Sequence, residues 1–159
     1  MSSEDKDTQA SELLTPALQA DHRDVPGEDW LLQDVVRFIN RLEGISIGIT
    51  LTMSGGIITG DLINIKEFFY EYGKLWKEGF KRIPEAGAML DQQWREHGDE
   101  TAKHIKDANQ VLFHYVHLKN ARYMVGSTAI SEVGGMLWRG RLSQIGGFSI
   151  GSFNRSKSG

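Results

Sequence analysis

The sequence predicts an α+β domain in which one N-terminal helix precedes a small, strongly bent antiparallel β-sheet. Three observations support this prediction: helical spacing at 30–42, a hairpin signature at 45–63, and two glycine-punctuated apolar segments near the C-terminus. A long helical stretch at about 66–110 falls between the second and third predicted strands. We therefore expect a single domain over 30–153, with a helical insertion between strands 2 and 3.

The first helix is predicted from apolar residues that recur every three to four positions over 30–42. Gly44 is expected to end it. Over 45–53, isoleucine and leucine alternate with small polar residues, which is the period of a strand with one buried face. A turn is expected at 54–56, and the returning strand at 57–63 completes a β-hairpin.

The insertion is predicted to consist of two helical segments separated by Pro84. The first, 66–80, places five aromatic residues on one broad stripe that we expect to face the core: Phe68, Phe69, Tyr72, Trp76 and Phe80. The second covers 85–110. It is expected to be weakened near His97 and Gly98, because glycine is a poor helix former.

The sheet is predicted to resume at 111–118, which is rich in β-branched and aromatic residues, and to continue over 121–125. A loop at 126–135 leads to two further short strands, 136–142 and 144–151. Three glycines of these strands are expected at bends or bulges: Gly140, Gly146 and Gly147. One helix followed by five short bent strands is the order of an Sm-like barrel, so a small barrel of that order is the expected architecture.

Charge is distributed unevenly along the chain, although the formal net charge is only −3. Residues 1–29 contain eight acidic residues against Lys6 and Arg23. They are expected to form a disordered acidic arm, because they have little apolar surface to bury. From Val133 onward there is no acidic residue, and 154–159 is expected to be a basic tail. Opposite charges at the two ends favour salt-dependent attraction between copies.

Composition argues against several function classes. The chain has no cysteine, which excludes a disulfide framework and thiolate chemistry and is compatible with a cytoplasmic location. No apolar run approaches the roughly 20 residues of a transmembrane helix, so no membrane partner is expected. His114 and His117 would face opposite sides of a strand and could not share a metal ion. We predict no catalytic, cofactor-binding or metal-binding residues, and the protein is not expected to be an enzyme.

The most informative polar motif is Arg139-Gly140-Arg141, because two arginines two residues apart on a strand share a face. The glycine between them would allow close approach of a partner. An anion, an acidic protein or nucleic acid could bind there; alternatively, both arginines only face solvent on an edge strand. Arg155 and Lys157 are further interaction candidates. Structural roles are expected for four residues near the motif: Trp138, Gly146, Gly147 and Phe148.

Three stretches of the sequence carry a family resemblance. They are ISIGITLTMSGGIITGDLINIKEFF at 45–69, FHYVHLKNARY at 113–123, and MLWRGRLSQIGGFSIG at 136–151. Together they resemble the gas vesicle accessory protein U family. The resemblance implies a cytoplasmic, non-enzymatic, gas vesicle-associated protein that acts in vesicle clustering or assembly. The partners that it implies are gas vesicle shell proteins or other gas vesicle proteins; we also expect self-association as a homo-oligomer.

A rival hypothesis is an RNA-binding ring of the Sm-like type. The Arg-Gly pair at 139–140 resembles the Arg-Gly of such rings, and Asp61 and Asn64 fall near the positions where those proteins keep an Asp and an Asn. The acidic arm argues against this hypothesis, because it would repel phosphate. Nucleic acid is therefore the less favoured partner.

Overall fold

The computed structural model of the 159-residue chain describes residues 29–108, 111–125, 128–130 and 134–153. Its α-helices are α1 (Trp30–Arg41), α2 (Ile65–Gly79) and α3 (Pro84–Asp107). Its strands are β1 (Ile47–Met53), β2 (Gly56–Leu62), β3 (Tyr115–Val125), β4 (Thr128–Ile130), β5 (Met136–Arg141) and β6 (Ile145–Ile150). A 3-10 turn, Leu142–Gln144, joins the last two strands. The predicted α+β class is confirmed.

The six strands form one antiparallel sheet in which β4, β3, β2, β1 and β6 are neighbours in that order. β5 pairs with the first half of β3, on the edge opposite β2. α2 and α3 lie between β2 and β3 in the chain, as predicted. The sheet is open, since β5 and β6 do not pair with each other within the described ranges. The expected barrel and its Sm-like order are therefore not confirmed.

Asp29 caps the start of α1. Its carboxylate Oδ1 accepts hydrogen bonds from the backbone amides of Leu31 at 2.9 Å and Leu32 at 3.4 Å. Asp29, which the sequence analysis assigned to the acidic arm, thus belongs to the folded domain. The rest of the predicted arm, 1–28, and the predicted basic tail, 154–159, lie outside the described residues.

The predicted hairpin forms, with β1 and β2 paired in register from Ile47 opposite Leu62 to Met53 opposite Gly56. Alternate residues of the sheet face α1 and form the hydrophobic core with it. Its most deeply buried members come from α1 and three strands: Leu32, Val36, Ile39, Ile49, Leu51, Ile58, Leu62, Val116 and Leu118. Burial stabilises the fold by roughly 1.5–3 kcal/mol for each such side chain.

α2 and α3 pack as a helical hairpin whose glycines allow close approach. A Cβ added at Gly73 would lie 2.7 Å from the Asp91 carboxylate, and one added at Gly98 would lie 3.1 Å from Cβ of Phe69. α3 is continuous through this region. The predicted weakening near His97 and Gly98 is wrong, because Gly98 is a contact position between the two helices rather than a break.

The aromatic residues of α2 serve two interfaces. Phe68 is buried next to the sheet, whereas Phe69 stacks on Trp94 of α3 with ring centroids 5.7 Å apart. Tyr72 contacts both Phe68 and Trp94. Trp76 remains 37% exposed. The expected inward stripe is therefore wrong for Trp76, where α2 has passed the part of the fold that covers it.

β3 and its surroundings differ from the prediction in two ways. The strand begins at Tyr115 rather than at residue 111, and β4 forms within the segment 126–135 that was predicted to be a loop. β3 also contains a bulge at Asn120, whose φ of +52° lies in the left-handed region. The pairing of β3 with both β2 and β5 shifts register around this residue.

Asn64 joins the start of α2 to the end of α1. Its Oδ1 accepts a hydrogen bond from the Glu67 amide at 2.8 Å, and its Nδ2 donates to the Leu42 carbonyl at 2.9 Å. We predict that Asn64→Ala lowers the free energy of unfolding by about 2–3 kcal/mol, because a helix cap and a buried hydrogen bond are both lost. Urea denaturation measures the change. Asn64→Ser, which keeps the cap acceptor, should lose less, and an unchanged midpoint for the alanine variant would contradict this role.

Candidate functional site

The Arg139-Gly140-Arg141 motif lies on β5, which runs antiparallel to the first half of β3. Arg141 is opposite Tyr115, and Arg139 is opposite His117. Paired residues share a face, and so do alternate residues of one strand. These four side chains therefore lie on the face of the sheet that points away from the core; we call this face the arginine surface.

Arg139 is held over the ring of Tyr115, with its guanidinium carbon 3.6 Å from the ring centroid. This cation–π contact orients the guanidinium without neutralising its charge. Arg139 and Arg141 are both exposed, and neither pairs with a carboxylate within the ranges that the structure covers. The surface therefore carries two exposed cationic groups.

His117 forms the floor of the arginine surface. It is only 3% exposed, and its ring centroid lies 4.4 Å from that of Phe68 in α2. Among the described atoms its Nε2 has no hydrogen-bond partner. Burial, with a smaller contribution from the charge of Arg139, lowers the pKa of His117 to about 3. The imidazole is therefore neutral near pH 7 and adds no third charge.

Gly140 has a packing role on the opposite face of β5. The six-membered ring of Trp138 lies over it, so that a Cβ added at Gly140 would be 2.0 Å from Cη2 of the indole. Trp138 Nε1 donates a hydrogen bond to the Tyr123 hydroxyl at 2.7 Å, which fixes the ring. The indole thus fills the space beside Gly140 in which a close approach by a partner was expected.

The remaining candidates from the C-terminal region lie on β6 or beyond it. Gly146 is the extra residue of a bulge in the pairing of β6 with β1, and Gly147 pairs normally beside it. Phe148 packs against the hydrophobic core. Arg155 and Lys157 lie outside the described residues.

The two residues behind the RNA-ring hypothesis are engaged within the fold. Asp61 accepts a hydrogen bond from Nδ2 of Asn120 at 2.7 Å. Both ends of the Asn64 amide are used, by the α2 cap and by Leu42. These hydrogen bonds do not involve Arg139 or Tyr115.

A polar cleft of about 150 Å³ opens beside β2 and the β3 bulge, with Asp61, Arg122 and Phe153 in its lining. The two arginines of the arginine surface do not contribute to it. Across the described residues, no group of three or more histidine or acidic side chains could hold a metal ion. No helix among them is long and apolar enough to cross a membrane.

Sequence reasoning identified both arginines but missed Tyr115 and His117. The signal was present in the alternation of 115–118, where Val116 and Leu118 face the core and the two ring-bearing residues face away from it. Their pairing with β5 depends on register, which the alternation alone does not specify.

Fold and surface together define a small α+β protein with two exposed arginines on one face of its sheet. The family model described as gas vesicle protein GvpU-like matches residues 29–153, which include all the described residues, and the chain belongs to this family. The resemblance expected from the sequence is thereby confirmed, and the protein is gas vesicle-related. Comparisons with curated proteins and with solved structures found no match.

We predict that the free energy of unfolding falls as the pH decreases from about 6.5 toward 3. The folded state keeps the pKa of His117 near 3, whereas the histidine of the unfolded chain binds a proton near its ordinary pKa of 6.5. Protons therefore favour unfolding throughout this window. This one group contributes up to about 1.4 kcal/mol per pH unit. Urea denaturation at a series of pH values measures the slope.

His117→Leu should flatten the slope between pH 6.5 and 5. The exposed His104 supplies the matched control, because His104→Gln should leave the slope as it is in the wild type. Equal slopes for the wild type and His117→Leu would show that the burial of His117 does not govern this response.

A second prediction concerns the contact between Gly140 and Trp138. Gly140→Ala should lower the free energy of unfolding by about 1–3 kcal/mol, because the added methyl overlaps the indole. Combining it with Trp138→Leu should cost less than the sum of the two single changes, since the smaller side chain leaves room for the methyl. Strict additivity in thermal or urea denaturation would rule out the contact as the cause.

Proposed function

We propose that this protein is a non-enzymatic, cytoplasmic accessory protein that binds gas vesicles and promotes their clustering or assembly. The observation that carries the proposal is its membership of the GvpU-like family over residues 29–153. The proposed partners are gas vesicle shell proteins or other gas vesicle proteins, together with further copies of the chain in a homo-oligomer. Self-association and charge-based contacts are the proposed means.

The open sheet supports self-association. β5 and β6 each have one edge without a strand partner in the described part of the chain. Such an edge exposes backbone N–H and C=O groups that a strand from another copy would satisfy. Because the two edges are different surfaces, joining one to the other is a head-to-tail contact, which either closes into a ring or grows into a longer assembly.

The arginine surface supports charge-based contacts. Arg139 and Arg141 would pair with carboxylates of a vesicle protein or of another copy. A single exposed ion pair contributes less than about 1 kcal/mol. Many copies on one vesicle multiply that contribution, because each further contact between two vesicles forms at a high effective concentration. Clustering should therefore depend on ionic strength.

Replacing both arginines by alanine should lower the salt concentration at which vesicle clusters disperse. The variant lacks the arginine–carboxylate contacts, so less screening is needed to separate the vesicles. Purified gas vesicles mixed with wild-type or Arg139→Ala, Arg141→Ala protein are followed by light scattering across a salt series. The fold should persist, since both side chains are exposed.

The matched control removes two positive charges elsewhere, with Lys103→Ala and Arg122→Ala in one chain, and should follow the wild-type curve. Identical curves for all three proteins would show that the two arginines do not contribute to clustering. Failure of the wild type to co-sediment with vesicles would overturn the proposed function itself.

A further inference from the structure

The turn end of the α2–α3 hairpin carries a group of exposed apolar side chains. Leu75 and Trp76 near the end of α2 are 54% and 37% exposed, and Ile83 in the turn is 55% exposed. All three lie in the turn at 80–83 or within five residues of it. We call this region, residues 74–85, the hairpin tip.

The tip is exposed because α2 extends past the surface that it covers. Phe68 is buried against His117 of the sheet. Leu75, seven residues later, lies on the same side of the helix but is exposed. Trp76 contacts the rings of Tyr72 and Phe80 and still remains partly exposed. An apolar stripe that continues beyond its own partner is typical of an interaction surface.

The tip is also basic. Residues 74–85 include four basic residues and two acidic ones: Lys74, Lys77, Lys81, Arg82, Glu78 and Glu85. Lys74 pairs with Glu71. The other three basic residues pair with no carboxylate among the residues that the structure describes. A partner that fits this surface must therefore be both acidic and apolar.

The N-terminal segment of this chain has that chemistry. Residues 1–28 contain seven acidic residues against Lys6 and Arg23. The leucines of the segment are confined to one short stretch that begins after Glu12: Leu13, Leu14 and Leu18. A segment of this length spans up to about 90 Å when extended, which is enough to leave its own domain and reach a neighbouring one.

We propose that the hairpin tip binds the acidic N-terminal segment of a second copy of this chain. The three leucines pack on the apolar residues of the tip, and the acidic residues face Lys77, Lys81 and Arg82. Each copy has one segment and one tip, so the contact is head-to-tail and can propagate from copy to copy. The inference rests on the self-association in the proposed function and names the surfaces that perform it.

The test uses two full-length variants, one altered only at the tip and the other only in the N-terminal segment. The tip variant carries Leu75→Ser and Ile83→Ser, and the segment variant carries Leu13→Ser, Leu14→Ser and Leu18→Ser. Sedimentation velocity over a concentration series should show self-association weakened by about tenfold or more in each variant alone. An equimolar mixture should form a 1:1 heterodimer, because it holds one intact tip and one intact segment.

Two controls are matched to the tip. Leu112→Ser removes a leucine that is 48% exposed beyond the far end of α3, a helix of 24 residues and therefore about 36 Å long. It should associate like the wild type. Reversing the charge at Lys81 and Arg82 to glutamate should weaken association and make it less sensitive to salt, whereas Lys103→Glu should not.

Several outcomes would overturn the inference: a monomeric wild type, wild-type association in the tip variant, or a mixture that fails to form the heterodimer. Loss of binding to phosphatidylserine vesicles by the tip variant, with self-association unchanged, would assign the tip to lipid instead. Co-sedimentation with purified gas vesicles is measured separately. Both variants should still bind vesicles, and a wild type that assembles without binding them would contradict the proposed function alone.

Discussion

The structure depends on the pairing of β3 along both of its edges. One edge holds β2, and with it the hairpin that packs on α1; the other holds β5 and β4. A single strand thereby connects the hydrophobic core to the arginine surface, because its residues alternate between the two faces. The bulge at Asn120, with its left-handed backbone and its hydrogen bond to Asp61, shifts the register of both pairings within the sheet.

The elements with strong local signals could be predicted from the sequence. α1 and the hairpin follow directly from the spacing of their apolar residues. The continuity of α3 was harder to predict, because a glycine such as Gly98 within a helical pattern also indicates a break in the helix. Its role becomes clear only when Phe69 lies against it. Likewise β4 has only three residues and is defined by its pairing with β3, so the sequence has no local pattern that predicts it.

The candidate site shows the same division between local and tertiary information. The period of a strand is enough to place Arg139 and Arg141 on one face. It does not show that Tyr115 lies beneath Arg139, because that contact depends on the pairing of two strands. Nor does it show that Trp138 needs a glycine at position 140, because that contact depends on the rotamer of the tryptophan. The neutral His117 is a further tertiary effect, since it results from the burial of the ring, which Phe68 contacts.

The two surfaces differ in the forces that they offer to a partner. The arginine surface offers a partner two positive charges, so salt screens its contacts directly. The hairpin tip combines positive charge with apolar area, and the apolar part of such a contact is not weakened by salt. In the proposed assembly, contacts between copies through the tip would therefore outlast contacts between vesicles through the arginines as ionic strength rises. Dispersal of vesicle clusters and dissociation of the protein oligomer are then separate transitions, because they depend on surfaces at different places in the fold.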